Sequence, residues 1–256
     1  MLKWCSYCQR FLGETPDFHN LNVTHGICTA CAPGADKFTE LDFQLAESLR
    51  DIQHQLREAG RCSDLDAADR IIESAAAANV RAVDVLIGII APALYQVGED
   101  WKRGIIGVAE EHRFTAFCEE LFNRVASRGK DAAPAPSAAD EEPSEFLLMN
   151  APGNKHTLAI RILTFWLRSR GAAARLLGSP PSPEELAAMV IRNRPKSLLI
   201  SMALTEQSAG VTSMAQRVSQ LPAAIRPKVI IGGYAVKLGL VSAIPGAQLM
   251  ADISSL

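Results

Sequence analysis

Between Arg128 and Glu145 the chain carries a run of alanine, proline, serine and acid, AAPAPSAADEEPSE, with no branched or aromatic apolar side chain. Such a segment cannot bury a core and reads as a linker, so the sequence on its two sides has to fold around separate cores. The pieces flanking it are of ordinary domain size. With 48% hydrophobic and 21% charged residues among 256, the chain is globular rather than disordered. A net charge of −2 gives no global attraction for nucleic acid or an anionic membrane. The longest apolar stretch, Ala82 to Tyr95, is interrupted by Asp84 and Pro92 and falls short of the roughly 20 residues that span a bilayer, so no membrane span is expected. Lys3 is followed by no apolar signal segment, which predicts a cytoplasmic, reducing location.

In that setting six cysteines point to metal or redox chemistry rather than structural disulfides. Four of them form two pairs, Cys5-x2-Cys8 and Cys28-x2-Cys31, with nineteen residues between the pairs. Each pair places two sulfurs on one turn, and the spacing suits a tetrahedral zinc site of four thiolates. A module of this size, residues 1–37, has few apolar groups and needs such a staple to fold. A redox-switchable dithiol is the other reading, and His19 and His25 stand between the pairs as optional replacements for a thiolate. Lys3, Arg10 and Lys37 balance Glu14, Asp17 and Asp36, so the module presents no net positive field to phosphate, and direct DNA binding is not expected.

From Phe38 the apolar residues Phe38, Leu41, Leu45, Leu49, Ile52 and Leu56 recur every three or four positions, which predicts a helix ended by Gly60. Ser63-x-x-Asp66 reads as a capping box opening a second helix to Asn79. A third helix is expected from Ala82 to Gly98 with a kink at Pro92. The fourth, from Ile106 to Ser127, turns Ala109, His112, Ala116, Leu121 and Val125 toward one side. Residues 38–127 are therefore expected to form a four-helix bundle. Past the linker, residues 146–256 alternate short apolar runs with helical segments. The runs Phe146–Ala151, Ala173–Gly178, Leu198–Ala203, Lys228–Gly233 and Gln248–Ala251 predict five strands of a doubly wound, flavodoxin-like parallel sheet. With Leu256 barely past the fifth strand, the last helix of such a sheet is expected to be missing or very short.

In an open α/β sheet, ligands sit beyond the carboxyl ends of the strands. The loop after the first strand holds Asn154 and His156, Ser201-x-Ala203 closes the third strand, and Gly232-Gly233 closes the fourth, where glycine would let a large ligand approach the backbone. This pattern resembles the cobalamin-binding domains, which carry Asp-x-His-x-x-Gly, then Ser-x-Leu or Ser-x-Thr, then Gly-Gly. The resemblance implies that His156 is the lower cobalt ligand and that Ser201, Ala203, Gly232 and Gly233 flank the nucleotide tail. Asn154 stands where the family has an acid and Ala159 where it has glycine. Asn154 is expected to accept the imidazole N–H without charge and so to make His156 a weaker donor.

The bundle adds Trp101 followed after nine residues by Glu111-His112. This signature resembles light-sensing cobalamin proteins of the CarH class. It implies that Trp101 caps the upper axial group, Glu111 hydrogen-bonds it and His112 ligates cobalt after light. Adenosylcobalamin is the favoured form, with hydroxo- or methylcobalamin as others. The CarH class carries a helix-turn-helix where this chain has the cysteine module, so the chain is more similar to cobalamin-binding antirepressors that act on a transcription repressor. The expected function is thus a non-enzymatic, light-sensing signalling regulator with a protein partner, with self-association a further option. The alternatives are a corrinoid methyl carrier, or a haem or redox sensor in the same fold.

Overall fold

A computed structural model of the chain describes residues 1–16, 18, 20–34, 40–128, 144–252 and 256. His19, Phe38, the bulk of the expected linker and the side chains of Leu41 and Leu45 lie outside the described residues. The chain divides into two compact units, Met1–Ala132 and Ala133–Leu256.

The first unit opens with three short strands, β1 (Leu2–Cys5), β2 (Phe11–Glu14) and β3 (Val23–Gly26). β1 is central, antiparallel to β2 and parallel to β3. Four helices follow: α1 (Glu40–Cys62), α2 (Leu65–Ala77), α3 (Ala82–Lys102) and α4 (Val108–Arg128). By length and composition α3 could cross a bilayer, but most of it is buried inside the unit, where it serves as the core helix.

Several local expectations are corrected. Gly60 does not end α1, which continues to Cys62. Its missing side chain instead admits a neighbouring helix, since a Cβ there would lie 2.5 Å from the Phe114 ring of α4. Ser63 does not cap α2. Its backbone is left-handed, with φ 53°, and Asp64 takes the cap by accepting the Ala67 N–H at 3.0 Å. α3 runs past Gly98, which puts Trp101 in its last turn. Pro92 follows a π-helical stretch, Leu86–Ile90, so its missing N–H falls where the helical ladder has already changed register. On α4 the buried stripe is Phe114, Phe117, Cys118, Leu121, Phe122 and Val125, whereas Ala109, His112 and Ala116 are exposed. Helical periodicity draws both stripes, and only packing against α1–α3 selects the one that is covered.

The cap gives a test. The Ala67 N–H, with Arg70 beside it, holds the Asp64 carboxyl below its ordinary value of 3.8. A lowered folded value means that the cap stabilises at neutral pH and is lost as pH falls through that value. Asp64→Ala is expected to lower the melting temperature at pH 7, with the difference from the parent shrinking below about pH 4 in thermal scans.

The second unit is the expected parallel sheet. Its strands are β4 (Phe146–Asn150), β5 (Ala174–Leu176), β6 (Ser197–Ser201), β7 (Lys228–Gly232) and β8 (Gln248–Leu249), in the order β5-β4-β6-β7-β8. That is the 2-1-3-4-5 order of flavodoxin-like sheets. The strands are near-continuous apolar runs because helices cover both faces. Leu147, Met149, Ile200 and Ile231 pack with Leu186 and Val190 of α6 (Pro183–Asn193) and Val211 and Met214 of α7 (Ser208–Ser219). Leu148, Leu199 and Ile230 alternate to the opposite face, the side of α5 (Leu158–Ser169).

Candidate functional site

Strand register builds the edge of the sheet. Asn150 pairs with Ser201, and Ser201 pairs with Gly232, so three neighbouring strands end side by side at their carboxyl termini. The loop from Ala151 to Thr157 rises from this edge before α5, and His156 stands in it, exposed to solvent. Among the described residues neither ring nitrogen of His156 is hydrogen-bonded, which leaves the imidazole free to act as a metal donor.

Asn154 positions the loop by a different route from the one expected. Its side-chain oxygen accepts the His156 backbone N–H at 3.0 Å, and its amide nitrogen donates to the Ser201 carbonyl at 2.9 Å. Both ends of the carboxamide are used on the backbone, so Asn154 fixes the loop to β6 and does not hold the imidazole. An ionised acid at this position could not donate the second bond.

Asn150 belongs to no motif of the sequence. It is buried, its amide nitrogen donates to the carbonyls of Asn154 and His156 at 3.4 and 3.3 Å, and its side-chain oxygen has no partner among the described residues. The available signal was an amide closing the apolar run FLLMN. Gln207 was missed as well. Buried beside α7, it accepts the backbone N–H groups of Ala203 and Leu204 at 2.9 and 3.1 Å and thereby shapes the loop after β6.

The two glycines serve the fold before they serve a ligand. A Cβ on Gly233 would lie 2.5 Å from the Met202 carbonyl oxygen, and one on Gly232 would lie 3.2 Å from that of Met250. The space expected for ligand approach is therefore filled, on that side of the backbone, by neighbouring strand ends.

In the first unit, Trp101 lies in the last turn of α3, and a five-residue connection leads to α4, which sets Trp101 and Glu111-His112 at the same end of the bundle. Trp101, Ile105 and Val108 are 47%, 59% and 53% exposed, three large apolar side chains in the same stretch of chain as the exposed Ala109, His112 and Ala116. Glu111 is held in place. It accepts the Thr115 hydroxyl at 2.9 Å, and its other oxygen lies 3.5 Å from His112 Nε2, while the His112 side chain is 75% exposed.

The four module cysteines meet in space. Their sulfurs all lie within 4.8 Å of one another, with Cys8 and Cys28 3.6 Å apart, and none is in a disulfide. Burial works to raise the Cys5 thiol, but the N–H groups of Cys8, Cys28 and Tyr7 outweigh it and bring it down to about 6. The Cys28 thiol and burial push Cys31 up to about 12. This set can hold a metal ion, and His25 is not part of it.

Residues 52–125 match the family model of the B12 binding domain. The uncharacterised 20.5 kDa protein in the bchF-crtJ intergenic region of Rhodobacter capsulatus is 25% identical over 168 residues, 66% of this chain and 84% of that one. The monomethylamine corrinoid protein of Methanosarcina barkeri has the same fold, with a TM-score of 0.65 at 18% identity over 80% of this chain and 94% of that one. The family match is thus confined to the helical segment, and the solved structure shows the fold that the chain shares.

Proposed function

We propose that the chain is a cobalamin-dependent sensor that reports light, or the state of the cofactor's upper ligand, to a protein partner and carries out no turnover of its own. The observation that carries this reading is the exposure of Trp101, Ile105 and Val108 in the same stretch as Glu111 and His112, all of it inside the segment that matches the B12 binding domain. When bound, cobalamin supplies a cobalt centre whose upper axial bond light can break, adenosylcobalamin being the form we favour.

The residues then have distinct tasks. His156, on a loop that Asn154 ties to β6, would offer its exposed imidazole to the cobalt. Ser201, Ala203 and Gly232 border the sheet edge along which the nucleotide tail would lie. Trp101 presents an aromatic face, Glu111 an acceptor fixed by Thr115, and His112 an exposed second imidazole. A change at His112 alters the exposed face of α4, which is the surface offered to a partner such as a transcription repressor.

The test is the absorption spectrum of the purified chain with adenosylcobalamin, in the dark and after green light. Photolysis should change the parent spectrum, and His112→Ala should alter the spectrum of the illuminated form. His156→Ala is expected to weaken binding at least about tenfold and to return the cofactor's own benzimidazole to cobalt. An unchanged spectrum and affinity in His156→Ala would remove that residue from the site. A light-insensitive complex that exchanges methyl groups with a methyltransferase would instead make the chain a methyl carrier, and binding of haem alone would make it a haem sensor.

A further inference from the structure

We propose that Cys5, Cys8, Cys28 and Cys31 hold one zinc ion, and that its loading keeps the three-stranded sheet seated on α3. A tetrahedral site with Zn–S bonds of about 2.3 Å requires sulfurs about 3.8 Å apart. The Cys8 and Cys28 sulfurs are at that spacing, 3.6 Å apart, and all four lie within 4.8 Å of one another, so a contraction of about 1 Å or less closes the set. The turns that carry them are built for it. In the second pair the N–H groups of Cys31 and Ala32 both donate to the Cys28 carbonyl at 3.0 Å, and the Cys28 N–H points at Cys5 Sγ at 3.5 Å, which joins the two pairs. An all-thiolate, uncharged-donor-free set of this shape selects zinc over magnesium or calcium, which take oxygen ligands.

The consequence lies in what the same strands touch. Trp4 precedes Cys5 on β1 and is fully buried, with the Phe11 ring edge-on at 5.3 Å. Both rings rest on Gly88 of α3, where a Cβ would lie 2.5 Å from Trp4 Cζ2 and 2.8 Å from Phe11 Cδ2. The Phe11 N–H donates to Asp84 of the same helix at 3.3 Å. Strands of four residues have little cohesion of their own, so the ion that closes the cysteine turns also holds Trp4 and Phe11 in register against residues 84–88.

The test uses the full chain, purified under reducing conditions and free of corrinoid, so it does not depend on the cobalamin reading. Elemental analysis should find about one zinc per chain. Cys28→Ser/Cys31→Ser should hold less than about a tenth of that, whereas Cys31→His, which preserves a zinc-competent donor, should keep most of it. Stripping the parent with an organomercurial thiol reagent should raise amide exchange in residues 2–5, 11–14 and 84–90 at least about tenfold and leave 146–232 unchanged. Metal-free protein whose strands stay protected, or zinc retained by the double serine variant, would overturn the site. Loss of zinc with unchanged exchange in 84–90 would overturn the coupling to α3.

Discussion

Gly233→Ala is expected to destabilise the sheet domain by about 3–5 kcal/mol. Two effects act together. Gly233 has φ 102° and ψ −175°, a region that is essentially closed to residues with a Cβ. The added atom would also meet the Met202 carbonyl at 2.5 Å and its nitrogen at 2.9 Å, and these are backbone atoms that no rotamer change can move aside. The same stretch is tied down on both sides, by Met202 N–H to the Gly232 carbonyl at 2.8 Å and Ala235 N–H to the Met202 carbonyl at 3.3 Å. Two controls separate strain from collision. Gly239 has φ +67° with open space around it, so Gly239→Ala should cost only about 1–2 kcal/mol. Gly178 has neither a positive φ nor a neighbour within 4 Å, and Gly178→Ala should be neutral or slightly stabilising. Urea unfolding of the full chain gives the ranking, and a Gly233 variant no less stable than the Gly239 variant would mean that β6 and β7 do not approach as described.

Asp84→Ala is the second large effect, expected at about 2–4 kcal/mol in the first unit. Asp84 is 0% exposed in α3, a long and apolar helix. Its carboxylate accepts from Arg81 Nη2 at 2.9 Å, from Arg81 Nε and from the Phe11 N–H. Burial pushes the carboxyl upward, and Arg81 and the Phe11 N–H oppose it. Truncation removes the acceptor for a buried backbone N–H and opens a cavity at the seat of β2, although Arg81, 41% exposed, can turn its charge to water, which limits the loss. Asp84→Asn keeps an acceptor of the same shape and should cost less than half as much. Equal losses for the alanine and asparagine variants in thermal unfolding would show that charge, rather than the hydrogen bond to Phe11, carries the interaction.

Much of this molecule was legible before its structure. The five strands of the sheet domain announce themselves because a parallel strand covered on both faces must be a short, unbroken apolar run, and Phe146–Asn150, Ser197–Ser201 and Lys228–Gly232 are such runs. The four helices follow from periodicity, and the two cysteine pairs from spacing, since all three are local properties of the chain. What needed tertiary structure was every feature decided by a neighbour distant in sequence. Gly60 looked like a helix end and is a contact with Phe114, and Gly233 looked like room for a ligand and is a close approach to Met202. Ala109, His112 and Ala116 shared an expected stripe with Leu121 and Val125, yet the first three are exposed and the last two buried, because periodicity draws a stripe without saying whether anything covers it. Asn150 enters the site only through its register with Ser201, and the role of Asn154 is set by a carbonyl forty-seven residues away. Local sequence determines which elements form, because propensity and turn chemistry act within a few residues; which side chains then meet is set by packing between elements, which no single stretch of sequence contains.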